Sequence, residues 1–265
     1  MSDAGGRLES RLRSARDAGR KLLVPYLTGG LDGWEEALAA VAASGADAIE
    51  IGIPFSDPVM DGPTIQAASL RALSSGATPT AIIDGIRRHV DIDVPLAVMT
   101  YYNILFRAGH ERFAAALADA GVAGAIVPDL PLEEAGPWID AAETAGVATV
   151  LLAAPTASDD RLRAIAERSR GFVYAVGVLG VTGERASISA TATAIAGRVQ
   201  AVTDRPVLVG VGISTPEQAA EVSRVADGVV VGSALVRRLL DGEGPEAAAA
   251  LVADFRTALD ANSTH

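Results

Sequence analysis

The residue with the clearest chemical potential in this sequence is a glutamate set in an apolar run. Glu50 stands in Ile49-Glu50-Ile51-Gly52-Ile53-Pro54, where burying it ionised would be costly. Apolar neighbours raise a carboxyl pKa, so Glu50 is suited to give and take a proton near neutral pH. An arginine partner would make it a structural ion pair instead, and no arginine lies nearby in the sequence. The stretch that follows, Phe55-Ser56-Asp57-Pro58-Val59-Met60-Asp61-Gly62-Pro63, adds two carboxylates. Asp-Pro and Asp-Gly are also ordinary turn chemistry, so either aspartate alone reads equally as a solvated turn. Two of them beside a buried glutamate on a long loop point towards acid–base work.

Glycine suggests a second chemistry. Three glycine-rich turns occur at residues 177–183, at Gly210-Val211-Gly212-Ile213-Ser214 and at Val231-Gly232-Ser233-Ala234. Glycines let backbone N–H groups approach an anion, and a helix starting at Ser233 would add its positive dipole end. Each turn alone is a tight bend; three on one rim make a phosphate cradle. Tyr174, near Phe172, lies in an apolar run where a ring packs and a buried hydroxyl wants a partner. Tyr101, Tyr102 and Asn103 end another run and could line a pocket for a flat apolar substrate. Asp129, in Pro128-Asp129-Leu130-Pro131, reads as a rim residue or as a turn.

These residues can meet only if the elements around them converge. Eight β-type runs are legible, at 22–27, 48–53, 96–101, 124–127, 148–152, 172–176, 207–211 and 228–231. Most lack polar alternation, as parallel strands buried on both faces do. Ala-rich amphipathic segments fall between them, many closing at Gly45, Gly76, Gly121, Gly146 or Gly171, where a left-handed cap is wanted. Thr78-Pro79 and Thr215-Pro216 place a capping residue before a first-turn proline. This rhythm predicts a single α/β domain over 1–265, a (β/α)8 TIM barrel with an extra N-terminal helix at 8–18 covering its lower face. Active sites of such barrels form at the C-terminal strand ends, where the Glu50 loop and the glycine turns fall. An open doubly wound sheet competes with that reading, but Gly210-Val211-Gly212 does not complete G-x-G-x-x-G, and no P-loop motif occurs.

Composition removes whole classes of function. The chain has 265 residues, 22 basic against 33 acidic, for a net charge of −11. That is the wrong sign for a nucleic-acid surface or an anionic membrane, so a phosphate would have to be held by local dipoles. There is no cysteine, and His89, His110 and His265 share no ligand spacing, so no metal site is expected. Lys21 is the single lysine and precedes the first strand at the opposite face, which argues against a Schiff base. No run nears the roughly 18–20 apolar residues of a membrane span, and the mixed-charge N-terminus resembles no signal peptide. A cytoplasmic protein is expected.

With these residues in view, nearly the whole chain resembles the tryptophan synthase α subunit family. The resemblance is carried by Glu50-Ile51-Gly52-Ile53-Pro54-Phe55-Ser56-Asp57-Pro58, by Asp61-Gly62-Pro63-Thr64-Ile65-Gln66 and by Gly180-Val181-Thr182-Gly183. Val24-Pro25-Tyr26-Leu27-Thr28 and the two glycine–serine turns support it. It implies reversible cleavage of indole-3-glycerol phosphate to indole and D-glyceraldehyde 3-phosphate, with Glu50 and Asp61 catalytic. It further implies phosphate binding at Gly183, Gly212, Gly232 and Ser233, with Tyr26, Tyr101, Tyr174 and Thr182 lining the site. Phe55 and Asp57 would belong to one lid and Thr182 to another, latched by an Asp57–Thr182 hydrogen bond. The family assembles as αββα, and its β subunit carries pyridoxal phosphate; no cofactor is implied in this chain. Two departures stand out: Val211 replaces a common Phe, and Gly177-Val178-Leu179 lacks a common Ser-Arg. Indole-3-glycerol-phosphate synthase or a phosphoribosyl isomerase would be the nearest enzymatic alternative, although the synthase needs lysines this chain lacks. A non-catalytic barrel kept as an allosteric partner is the alternative from another class.

Overall fold

Eight parallel strands close into a barrel in sequence order, with β8 returning to pair with β1. The structure is a computed structural model and describes residues 6–177, 185–210 and 212–261. The strands are β1 (Leu22–Thr28), β2 (Ile49–Gly52), β3 (Leu96–Met99), β4 (Val122–Ile126), β5 (Ala148–Ala153), β6 (Val173–Val176), β7 (Val207–Gly210) and β8 (Gly228–Val231). Each falls within two residues of a run legible in the sequence, because Val, Ile and Leu blocks bury on both faces of a parallel sheet. Twelve helices are found among the described residues. They are α1 (Gly6–Asp17), α2 (Trp34–Ala42), α3 (Pro63–Ser74), α4 (Pro79–Arg87), α5 (Tyr102–Ala108), α6 (His110–Asp119), α7 (Gly136–Ala145), α8 (Asp159–Arg168), α9 (Arg185–Gln200), α10 (Pro216–Val222), α11 (Ser233–Leu240) and α12 (Gly244–Ala261).

The expected punctuation holds. Gly45, Gly76, Gly121, Gly146 and Gly171 all take positive φ. The Thr78 side chain caps α4, and Thr215 with Gln218 forms a full capping box on α10. The helix expected at 8–18 is α1. It lies under the barrel, where Leu8 and Leu12 are fully buried against Leu22, Ala148, Phe172 and Leu208 of the strands and their approaches. Glu9 pins it there, accepting the Gly171 N–H at 3.1 Å and pairing with Arg13 at 2.9 Å. Lys21 sits at this lower face, donating to the Ala226 carbonyl.

One expectation fails locally. The aromatic run at 101–103 was expected to end the third strand, but β3 stops at Met99 and Tyr102 opens α5. The cause is tertiary: the Asp129 carboxylate, from the turn after β4, accepts the Tyr102 N–H at 2.9 Å. A cap supplied by a neighbouring loop starts a helix that local β-propensity disfavours.

The lower face also holds a buried ionic knot. Asp47 accepts the Leu23 N–H at 2.9 Å and Arg20 Nε at 2.7 Å, and Arg256 of α12 reaches it at 3.2 Å. Asp47→Ala leaves the buried Leu23 N–H without its acceptor and Arg256 with only the half-exposed Asp260 carboxylate at 2.7 Å, so it is expected to destabilise the fold by about 3 kcal/mol. Urea unfolding with an unchanged m-value is the check.

Candidate active site

Barrel register gathers the titratable residues. Tyr26 on β1 stands opposite Glu50 on β2, and Tyr174 on β6 sits between Leu152 on β5 and Leu208 on β7. Because alternate residues of a barrel strand point inward, Glu50 and both tyrosines face a common space. Their rings need room from the neighbouring strand. A Cβ at Gly52 would overlap the Tyr26 hydroxyl, and one at Gly210 the Tyr174 hydroxyl. The space they border is a cavity of about 390 Å³ at the C-terminal mouth, shared by Glu50, Asp61, Tyr26 and Tyr174.

Glu50 is 1% exposed, and neither carboxyl oxygen meets a hydrogen-bond donor among the described residues. No arginine among the described side chains pairs with it. Burial, reinforced by the Asp61 carboxylate, pushes the Glu50 pKa up to about 8. Asp61 approaches from the loop after β2. Burial raises its pKa to about 6, while a hydrogen bond with Tyr101 pulls the other way. The Tyr101 hydroxyl also accepts the Met60 N–H at 3.0 Å, and the Phe55 ring stacks on Tyr101 with centroids 5.1 Å apart. Tyr101 thus stands behind Asp61 as the post around which the loop is wound, rather than in the cavity wall. Asp57 is exposed, outside the cavity wall, accepting from the Ser56 hydroxyl at 2.6 Å.

Two glycine–serine turns contribute another part of the mouth. Gly212, Ser214, Gly232 and Ser233 line the same cavity. Gly212 takes φ of 81°, and Gln218 Oε1 accepts the N–H groups of Ser214 and Thr215, fixing the loop after β7. Gly232 is the N-cap of α11, makes no side-chain capping hydrogen bond and lines the cavity with Ser233, so the positive end of the helix dipole lies at the cavity wall. Thr182, Gly183 and Val211 lie outside the described residues, as do Val178 and Leu179, so the expected latch with Asp57 does too.

Apart from Thr64, the rest of the wall is mainly apolar: Met99, Ile126, Leu152, Val176 and Val230 from the strands, Ile65 from the first turn of α3 and Ile213 from the loop after β7. Sequence reasoning did not single these out. The signal available was the inward alternation along each strand, counted from Glu50 and Tyr174 outward through the register.

A largely apolar chamber, one buried carboxyl with a raised pKa, a second carboxylate and a helix N-terminus share this cavity. Residues 12–262 match the model of the family described as tryptophan synthase alpha chain. The chain belongs to this family. It is 46% identical over 256 residues to the tryptophan synthase alpha chain of Streptomyces coelicolor, covering 94% of each. It is 45% identical over 249 residues to that of Picosynechococcus, covering 92% of this chain and 94% of the relative. Its fold resembles a Mycobacterium tuberculosis tryptophan synthase structure with a TM-score of 0.89 at 40% identity, covering 96% of this chain and 98% of that one. The Legionella pneumophila alpha subunit gives 0.86 at 31% identity, covering 97% and 99%. Tryptophan synthase alpha chains are carbon–carbon lyases that cleave indole-3-glycerol phosphate and work with a β subunit. Among the described residues, no His, Asp and Glu cluster could hold a metal ion, and no helix is long and apolar enough to cross a membrane.

Proposed function

We propose that Glu50 and Asp61 are the catalytic pair of this alpha chain. The observation that carries the reading is the buried Glu50 carboxyl, without a hydrogen-bond donor among the described residues, in a chamber shared with Asp61 and the N-terminus of α11. Cleavage needs a proton on indole C3, a base for the glyceryl hydroxyl, and compensation for positive charge developing on the ring. Protonated Glu50 delivers its proton to C3, giving the indolenine. The resulting carboxylate then takes the hydroxyl proton as the C3–side-chain bond breaks, so the electron pair returns to the ring and Glu50 ends as it began. Asp61, ionised, accepts a hydrogen bond from the ring N–H and offsets the cationic charge. Gly183, Gly212, Gly232 and Ser233 hold the phosphate by backbone groups, which suits a chain of net charge −11. Tyr26, Tyr174 and Thr182 border the ring and glyceryl chain. Burial keeps both tyrosines protonated, well above the ordinary phenol range.

The working form needs Asp61 ionised and Glu50 protonated. The two pKa values, about 6 and about 8, define a bell-shaped pH profile of kcat/KM with limbs near those values. Tyr101→Phe removes the hydrogen bond that lowers the Asp61 pKa. The acid limb is therefore expected to move to higher pH while the alkaline limb stays, as a pH-rate profile of the variant would read.

The finer assembly belongs to the same proposal: an αββα tetramer in the cytoplasm whose β subunit carries pyridoxal phosphate and consumes indole. Support comes from Val59, 79% exposed, and Phe106, 64% exposed, apolar side chains on the segments that follow the C-terminal ends of β2 and β3. The Phe55–Asp57 and Thr182 segments would act as lids there. Indole release from indole-3-glycerol phosphate, with and without a matched β subunit, tests the whole reading. Slow release that rises sharply with the partner is expected; a folded chain that releases none under either condition overturns it.

A further inference from the structure

We propose that Arg237 is a positioning residue that ties the phosphate end of the cavity to the segment bearing Asp61. The proposal rests on the reading of α11 as the phosphate-facing helix. Arg237 lies one turn after Ser233, on the same face of α11, and helical side chains lean towards the N-terminus. Its Nη2 donates to Thr64 Oγ1 at 2.8 Å, joining parts of the chain 173 residues apart. Thr64 is buried and forms part of the cavity wall, three residues after Asp61. The intervening turn is stiff. Gln66 Nε2 donates to the Asp61 carbonyl at 2.8 Å, and the Gln66 N–H to the Gly62 carbonyl at 3.0 Å. Asp61 and the first turn of α3 therefore move as one piece, and Arg237 holds that piece to α11. Lower down, Arg71 of α3 donates to the Leu240 carbonyl at the end of α11, so Arg237 is the contact nearest the chemistry. An anion gripped by the first turn of α11 is thereby referenced to the carboxylate that meets the ring, which fixes the distance between the two ends of the substrate.

The test compares wild type, Arg237→Met, Arg237→Lys and Thr64→Val in the full chain, using glycerol 3-phosphate as probe. In wild type the probe is expected to slow hydrogen exchange at the first-turn amides of α11 and at the amides of 59–66. In Arg237→Met the α11 protection should persist while that of 59–66 disappears. Its kcat should fall about tenfold with KM changed less than twofold, since small misplacements of a catalytic group act on the chemical step. Arg237→Lys should restore part of the loss, and the Thr64→Val and Arg237→Met losses should not add. Unchanged coupled protection, a kcat within twofold of wild type, or fully additive losses would overturn the inference. So would a variant that melts earlier yet turns over normally when folded. Wild-type protection at α11 alone sinks this inference and leaves the phosphate reading standing; no probe binding by wild type sinks both.

Discussion

Glu50→Gln is expected to lower kcat by about 10²–10⁴-fold, the range for removing a general acid–base group. Glutamine keeps the shape and can hydrogen-bond, but it neither donates a carboxyl proton to C3 nor accepts one from the glyceryl hydroxyl. KM should change little, because the phosphate and ring are held elsewhere. The same substitution has an opposite effect on stability. In the folded chain Glu50 keeps its proton up to about pH 8, whereas unfolded it would lose it near the ordinary 4.5. Between those values the native state binds more protons than the unfolded state, so wild-type stability falls as pH rises, by at most about 1.4 kcal/mol per pH unit from this group. Glutamine removes that dependence. The variant should thus gain on wild type progressively from pH 4.5 to pH 8 in urea melts, while being nearly inactive throughout. A variant that loses activity and stability together at pH 8 would show a packing role for Glu50 instead.

Asp61→Asn is expected to cost about 10²–10³-fold in kcat, the scale for losing one preorganised group aimed at developing charge. Asparagine can still accept from the ring N–H, so the loss reports the missing negative charge. The pH profile should change in a way no general damage would produce. The acid limb near 6 disappears with the carboxyl. The alkaline limb moves to lower pH, because Asp61 is one of the two causes that hold the Glu50 pKa high. Burial, the larger cause, remains, so the limb should stay above the ordinary carboxylate range. An unchanged profile with wild-type turnover would take Asp61 out of the reaction.

The parts of this site that could be read from sequence were those where chemistry contradicts its surroundings. Glu50 was legible because a carboxylate in an apolar strand has few structural excuses, and the meeting of the turns at Gly212 and Gly232 in one cavity because both follow barrel strands. The barrel followed from the spacing of apolar runs and helix-ending glycines. Features set by tertiary contact were not legible. The α5 helix depends on Asp129 reaching across from the next loop, and its aromatic sequence reads locally as strand. Tyr101 was expected in the pocket wall; its place behind Asp61 comes from the path of a loop, which no periodicity encodes. The apolar lining and the Arg237–Thr64 contact depend on register and on pairs far apart in the chain. The segment with Thr182 and Gly183 has only its motif to speak for it.

The closure of the barrel has a consequence for how the chain comes into being. The seam joins β1 to β8, so Leu22 waits for Gly228, about 200 residues later, before its edge is covered. Arg256, the last guanidinium to reach Asp47, arrives later still. At typical rates of synthesis, on the order of 5–20 residues per second, the nascent protein spends roughly 10 s or more as an open sheet with a bare edge. During that interval it holds a buried-type aspartate missing one of its two cationic partners. Its vulnerability to misassembly and proteolysis is therefore concentrated before the final helix emerges, and α12 acts as the clasp that ends it.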